Sequence, residues 1–486
     1  MKHHCYCPGF CRLLFVIFFA FSGTSCKLEQ KESRPTTEAD RPNILFIAVD
    51  DLRPELRCYG AEHIQSPHID KLAAESTLFE RAYCNIPVCG ASRASILTGL
   101  RPTRQRFVDY STWKSKEVPN VASLPMIFKN NDYETISNGK VYHHEEDDSL
   151  AWDEVWRPSG NIRDYITDKN IELNNRGEGL RGNSMERTAA HDTAYFDGKI
   201  ASKGIRDLQK LKETGEPFFL ALGFMKPHLP FNAPERYWSL YDSLDISMPA
   251  NYAQPENLPN EAYHNFGELR TYNDIPKKGN LERSKELELL QGYYASVSYI
   301  DAQIGRVLQS LQDLELNDNT IVVLWGDHGY NLANHKMWCK HCTFETSMHV
   351  PLLIKVPNMK TVGTTESIAE FIDVYPTLCE LTGIEPPSHL EGESLVPLLK
   401  GETRQKNYAV SKFKDAVALI DGNLFYTEWT DDKGGPYARM LFDHATDSLE
   451  LNNLAEQEQY QDTVSKLAAE LRRRWGDDFL KDSKAK

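Results

Sequence analysis

The stretch NILFIAVDD, residues 43–51, is apolar from Ile44 to Val49 and then ends in two acids, Asp50 and Asp51. A short, unbroken apolar run is the pattern of a strand buried on both faces of a parallel sheet. The rest of the chain repeats the pattern. TIVVLWGDHG is apolar over Ile321–Trp325 and delivers Asp327 and His328. PFFLALGFMKPHLPF is apolar over Phe218–Phe224 and delivers Lys226 and His228. YETISNGKVYHH is a weaker strand, near Thr135–Ser137, and delivers Lys140 and His143. HVPLLIKVP adds one more strand with no polar chemistry behind it. A lone Asp-Asp after a strand is ordinarily a solvated turn. Four strands aiming acids, lysines and histidines at one edge are a constellation, because ligands in open α/β sheets sit at the carboxyl ends of the strands. The expected class is α/β, with a mostly parallel sheet.

Helices fit between these strands. HIDKLAAESTLFERAY places Ile69, Leu72, Ala73 and Leu78 at helical spacing. LELLQGYYASVSYIDAQIGRVLQSLQDL repeats Leu290, Tyr294, Val297, Ile300, Ile304, Val307, Leu308 and Leu311 on one face, as a core-facing helix does. Near residue 400 the texture changes. YAVSKF, AVALIDGNLFYTEW and ARMLFDH read as short antiparallel strands, and YQDTVSKLAAELRRRW closes as a helix. This divides the mature chain into a catalytic domain, 41–400, and a small α+β subdomain, 401–486. There are no internal repeats.

The first 26 residues have the form of a signal peptide: a mildly basic start, the apolar run Leu13–Phe21, then small residues before Cys26. Two readings stand, a plain cleaved signal or a bacterial lipoprotein with Cys26 lipidated as a membrane tether. Either exports the protein, to the periplasm or the outer membrane. Residues 27–40 are a polar linker. The net charge of −15 over 486 residues argues against a nucleic-acid partner, since phosphates are repelled. It does not exclude an anionic substrate at a locally basic site. Of ten cysteines, Cys5, Cys7 and Cys11 leave with the signal. The six beyond Cys26 are too few for a disulfide scaffold in a chain this long.

Asp50, Asp51 and Asp327 are hard carboxylate ligands and suit Ca²⁺ or Mg²⁺. His328 beside Asp327 leaves zinc open. Cys89 opens CGASRASILTGLRPTR, residues 89–104, at the expected mouth of a helix. Unpaired amides there attract anions and lower a thiol pKa. Arg93 lies one turn behind on the same face and can fork onto a tetrahedral anion. Lys140, Lys226 and Lys340 add positive charge. His143 and His228 can move protons near neutral pH. The set describes a pocket for a tetrahedral anion ester. The ordinary alternative for Cys89 is a buried structural thiol.

CGASR followed by ASILTGLRPTR resembles the sulfatase signature: cysteine or serine, any residue, proline or alanine, a small residue, arginine. NILFIAVDDLRPELRCYG, SNGKVYH, KPHLPF, YYASVSYIDAQIGRVL and GDHGYNLANHKMWCKH are similar to one branch of that family, the iduronate-2-sulfatases and their bacterial relatives. The resemblance implies an alkaline-phosphatase-like sulfatase fold, a large mixed sheet flanked by helices with a small C-terminal subdomain. It implies that a maturation enzyme converts Cys89 to formylglycine. It also implies one Ca²⁺ held by Asp50, Asp51, Asp327 and His328 with modified Cys89. Arg93, Lys140 and His143 would hold the formylglycine hydrate, and His228 and Lys340 would meet the sulfate and its bridging oxygen. Lys226, His335 and His341 complete the candidate substrate contacts.

Two positions depart from the family's pattern. Ala91 replaces a frequent proline, and Ala333, Asn334 and His335 replace the usual Gly-Glu-His, which removes a carboxylate. Cys339 and Cys342 flank Lys340 and read as packed thiols or a local bridge, with a zinc or redox pair as the weaker alternative. The expected function is an exported sulfatase acting on a sulfated polysaccharide or oligosaccharide. The alternatives are a phosphodiesterase or phosphonate hydrolase of the same superfamily, and a catalytically silent protein that binds sulfated glycan.

Overall fold

The computed structural model describes residues 41–161, 163–177, 181–360 and 363–475. The signal segment, the linker and Cys26 lie outside the described residues. The main sheet is built from β1 (Asn43–Val49), β2 (Thr77–Phe79), β3 (Glu134–Gly139), β4 (Glu154–Trp156), β5 (Phe218–Phe224), β6 (Thr320–Gly326), β7 (Leu352–Lys355) and β8 (Thr364–Thr365). Their order is β8-β2-β7-β6-β1-β5-β3-β4. From β6 to β4 all neighbours are parallel. β7 runs antiparallel to both β6 and β2. HVPLLIKVP is thus a strand of the opposite direction, which its apolar run could not reveal, because burial on both faces leaves the same pattern either way.

β1 sits at the centre, with all seven residues buried. Its side chains alternate between two cores, as the period of two requires. Leu45, Ile47 and Val49 join the core of α3 (Phe196–Thr214) and α4 (Arg283–Asp313), below. Ile44, Phe46 and Ala48 join Ile96 and Leu97 of α2 (Cys89–Thr98) on the other face. The first helix, α1 (Pro67–Ala74), stops before Leu78, which lies in β2. Ser76 ends the turn by giving its hydroxyl to the Leu72 carbonyl at 2.7 Å, a local bond that competes with helix continuation.

The register sets the functional edge. Val49 pairs with Phe224 on one side and Gly326 on the other, and Gly139 pairs with Gly223. Four strands therefore end level, and the residues after them leave the sheet together.

The C-terminal strands β9 (Tyr408–Phe413), β10 (Ala416–Asp421), β11 (Leu424–Thr430) and β12 (Pro436–Asp443) form an antiparallel meander. Val464, Leu467 and Leu471 of α5 (Gln461–Trp475) pack against Val410, Val417 and Leu419 on one face. The other face packs on Tyr83 and Phe344. The described residues between 41 and 475 form one compact unit.

Candidate active site

Asp50, Asp51 and Asp327 leave the strand ends fully buried, and an oxygen from each lies within 4.8 Å of the others. Asp51 takes a left-handed backbone, φ +61°, a conformation that costs energy for a non-glycine residue and concentrates at functional sites. Its amide donates to Asp327 Oδ1 at 2.9 Å, and Tyr293 donates its hydroxyl to the Asp51 carbonyl at 2.9 Å. The His328 ring sets Nδ1 on the Gly329 carbonyl at 2.9 Å. Nδ1 donates there, which turns Nε2 toward the acids. Nε2 stands 3.1 Å from Cys89 Sγ and 3.4 Å from Asp51 Oδ1.

Converging carboxylates repel one another when buried. Burial raises the Asp327 pKa, and Asp50 adds to the rise against His328 and Arg93. An acid that stays raised although Arg93 and His328 face it, beside two more acids and an imidazole, fits a bound cation.

Cys89 is the first residue of α2 and is buried. The Tyr110 carbonyl lies so close to Gly90 that a Cβ there would sit 2.4 Å from its oxygen, so this backbone approach requires glycine. The expected depression of the thiol pKa is reversed. Burial, with Asp50, pushes it well above the ordinary value, against Lys140 and Lys340. As a thiol, Cys89 is a poor nucleophile in this setting.

Arg93 also differs from its expected posture. It is fully buried, with Nε on Asp327 Oδ2 at 2.9 Å, Nη2 on Asp50 Oδ1 at 3.2 Å and Nη1 on the Val141 carbonyl at 3.1 Å. A fourth bond reaches the Lys140 carbonyl. Its fork holds the acids and the β3 loop from beneath. Lys140 Nζ donates to Asp50 Oδ2. His143 has a pKa lowered to about 2, by burial first and then by Lys140. Its Nδ1 is buried with no hydrogen-bond partner among the described residues.

Lys340 arrives on a loop with left-handed backbone at Ala333, His335, Lys336, Cys339 and His341. Asn331 Nδ2 fixes this loop through the Cys339 carbonyl at 2.9 Å. Lys340 Nζ donates to Asp51 Oδ1 at 2.9 Å and to Glu268 Oε2 at 2.9 Å. His228 sets Nδ1 on the Leu229 carbonyl at 2.6 Å and Nε2 on Glu268 Oε1 at 3.1 Å. Both ring nitrogens face acceptors. Glu268 was not visible in the sequence. It lies in an irregular stretch with no periodicity to mark it.

A sulfatase family model matches residues 42–384. The chain belongs to the sulfatase family. It is a sulfuric ester hydrolase with the alkaline-phosphatase-like fold of that family. It is 32% identical to the iduronate 2-sulfatase of Mus musculus over 411 residues, covering 76% of this chain and 74% of the relative. It is 29% identical to a sulfatase of Formosa agariphila over 472 residues, 92% of this chain and 89% of the relative. The solved phosphonate monoester hydrolase from Silicibacter pomeroyi superposes with a TM-score of 0.75 at 22% identity, covering 90% of this chain and 97% of that one. At that identity the likeness is one of fold.

Within this sulfatase, three candidate substrate contacts sit differently from the rest. Lys226 Nζ is spent on the carbonyls of His228 at 3.0 Å and Pro230 at 2.7 Å, so it shapes the His228 loop. His335 is buried, its ring 4.5 Å from that of Phe344. His341 lies beside Phe413, and burial, then Lys340, lower its pKa to about 3. Asn334 accepts from Arg53 Nη1 at 2.9 Å and donates to Asn251 Oδ1 at 2.6 Å, a packing role. Cys339 and Cys342 are free thiols with separate partners, Tyr330 and Ser347.

Proposed function

We propose that this sulfatase is an exported bacterial enzyme that removes sulfate from a sulfated polysaccharide or oligosaccharide. In this reading residues 41–400 are the catalytic part and 401–486 the appended subdomain. Cys89 is the site converted to formylglycine by a maturation enzyme, and Asp50, Asp51, Asp327 and His328 hold Ca²⁺ with it. The observation that carries the reading is the meeting of three buried acids, Cys89 and two lysine ammonium groups at one sheet edge. When formed, a formylglycine hydrate at Cys89 would supply the attacking oxygen, and a cation held by the acids would draw negative charge from the sulfate.

The chain's own groups do the rest. Lys140 and Lys340 set positive charge against the sulfate oxygens. His228 gives its Nε2 proton to the departing sugar oxygen. His143, kept neutral by burial and Lys140, would accept a hydrogen bond from the formylglycine hydrate and so assist the step that frees sulfate. The relative named iduronate 2-sulfatase supports a sulfated uronic acid as the sugar.

The phosphonate hydrolase of the same fold supports a second reading. Sulfate release from defined sulfated oligosaccharides, run beside an aryl phosphodiester, separates the two. Faster phosphodiester cleavage reverses the ranking. Intact-peptide mass spectrometry around Cys89 tests the modification, and active protein carrying only thiol there sinks it.

A further inference from the structure

Glu268 joins two groups that the sugar-leaving step uses, and its place is fixed by the fold rather than by them. Leu269 and Tyr272 beside it are fully buried in the main core. Its carbonyl closes a short turn, accepting from Thr271 Oγ1 at 2.6 Å. From this anchored backbone one carboxylate reaches both partners, His228 Nε2 through Oε1 at 3.1 Å and Lys340 Nζ through Oε2 at 2.9 Å. The side chain is 15% exposed. A solitary acid so placed is costly unless paired. Burial alone would raise its pKa, but Lys340 and His228 hold it well below the ordinary range.

We propose that Glu268 is a positioning residue for the leaving group. This rests on the sulfatase reading of the site. One rigid carboxylate, with an oxygen for each partner, sets the distance between the His228 ring and the Lys340 ammonium. Without substrate both donors rest on Glu268, and the bridging oxygen of the ester comes between them and takes the Nε2–H over from Oε1. When the S–O bond breaks, its electron pair stays on the sugar oxygen, which takes the proton from His228 Nε2. Glu268 itself forms and breaks no bond. Lys226 supports the arrangement from behind, through the carbonyl of His228. Asp51 also holds the Lys340 ammonium, at 2.9 Å, but Glu268 ties it to the His228 ring at hydrogen-bond distance, and small misplacements of such groups cost large factors in rate.

The need for this help depends on the leaving group. A sugar alkoxide is a poor one and requires both the proton and the ammonium. A nitrophenolate is a good one and requires little of either. Glu268→Gln keeps the shape and removes the charge, and Glu268→Asp keeps the charge and shortens the reach. The matured enzymes are compared on a sulfated disaccharide and on nitrophenyl sulfate. For Glu268→Gln, kcat on the sugar sulfate should fall about tenfold or more, with KM within about threefold, while nitrophenyl sulfate turnover stays within about threefold. Glu268→Asp should show the same selective loss, and it decides the matter if the Gln variant does not fold. An equal loss on both substrates, a loss confined to KM, or no loss on either overturns the proposal while leaving the sulfatase reading intact. Wild-type protein that frees no sulfate from either substrate overturns the functional reading, and this inference with it.

Discussion

Two buried charge clusters lie in this molecule, and they are built on opposite rules. One joins Glu370 and Asp373 to Arg101, Arg404 and Lys406. Arg101 donates to Glu370 Oε2 at 2.6 Å, and Arg404 to Asp373 Oδ2 at 2.9 Å. The remaining oxygens take Asn85 Nδ2 at 2.8 Å and the Glu393 amide at 2.9 Å. Both carboxyl groups fall below their ordinary pKa values even though burial opposes it. The cluster is closed, and through Val410 of β9 it fastens the C-terminal sheet to the catalytic part. The other cluster is the active site. It too holds arginine and lysine, and against burial Lys140 and Arg93 bring Asp50 well below its ordinary pKa, but three acids converge there and Asp327 is raised. Charges that satisfy each other hold a fold together. Acids that converge beyond what their partners settle hold a place for something else.

The largest expected effect breaks the pair apart by function. Cys89→Ala should lower activity by more than about ten-thousandfold, since the attacking group is lost with it. Its Tm should stay within about 4 °C of wild type, the shift of a small stability change. Sulfate release and a melting curve on the same preparation check both halves. Retained activity would remove Cys89 from the chemistry.

The open cluster was the more legible of the two from sequence. Its acids follow two of the four apolar runs, and a run that ends in Asp-Asp or Gly-Asp-His is a local pattern. What the pattern could not carry was direction in space. Arg93 was expected to reach toward an anion and instead braces Asp50 and Asp327 from below. Lys226 shares its residue type with a ligand but turns its head into its own loop. The thiol moves opposite to the helix-terminus expectation because burial outweighs the terminus. The closed cluster gave no signal at all. Glu370 and Asp373 sit in EFIDVYP, where their charged partners lie more than 30 residues away on either side.

The second prediction tests the closed cluster by the complementary loss. Asp373→Asn leaves Arg404 buried without its carboxylate and leaves Lys406 with Glu370 alone, which costs about 3 kcal/mol, the low end for a broken buried pair. Activity per folded molecule should remain near wild type, because no part of this cluster touches the acids at the sheet edge. Urea unfolding followed with kcat measures both. A fall in kcat at full folding would join the two clusters into one functional unit.

Lys340→Ala sharpens the contrast within the active site. Its ammonium pairs with Asp51 and Glu268, yet its position beside His228 suits charge that develops on a leaving oxygen. An interaction that strengthens only in the transition state lowers kcat when removed. The expected fall in kcat on a sugar sulfate is roughly a hundredfold, with formylglycine content unchanged by mass spectrometry. Near wild-type turnover would place Lys340 with the structural charges.

The smallest effect is a pH dependence at one acid of the closed cluster. Burial opposes the shift at Asp373, but Lys406 and Arg404 bring its folded pKa from 3.8 down to about 2. A carboxyl whose folded pKa lies below its unfolded value stabilises the fold at every pH above the unfolded value. That contribution fades as pH falls from about 4 toward 2. The shift corresponds to about 2 kcal/mol at neutral pH, and about half of it should be gone by about pH 3. Asparagine at 373 does not titrate, so the stability gap between wild type and Asp373→Asn isolates this one group from the other buried acids. Measured by urea unfolding, the gap should narrow by about 1 kcal/mol between about pH 6 and pH 3. A gap that stays constant, or widens, would mean that Asp373 keeps an ordinary pKa in the folded protein and that the cluster is not closed in the sense drawn from its bonds.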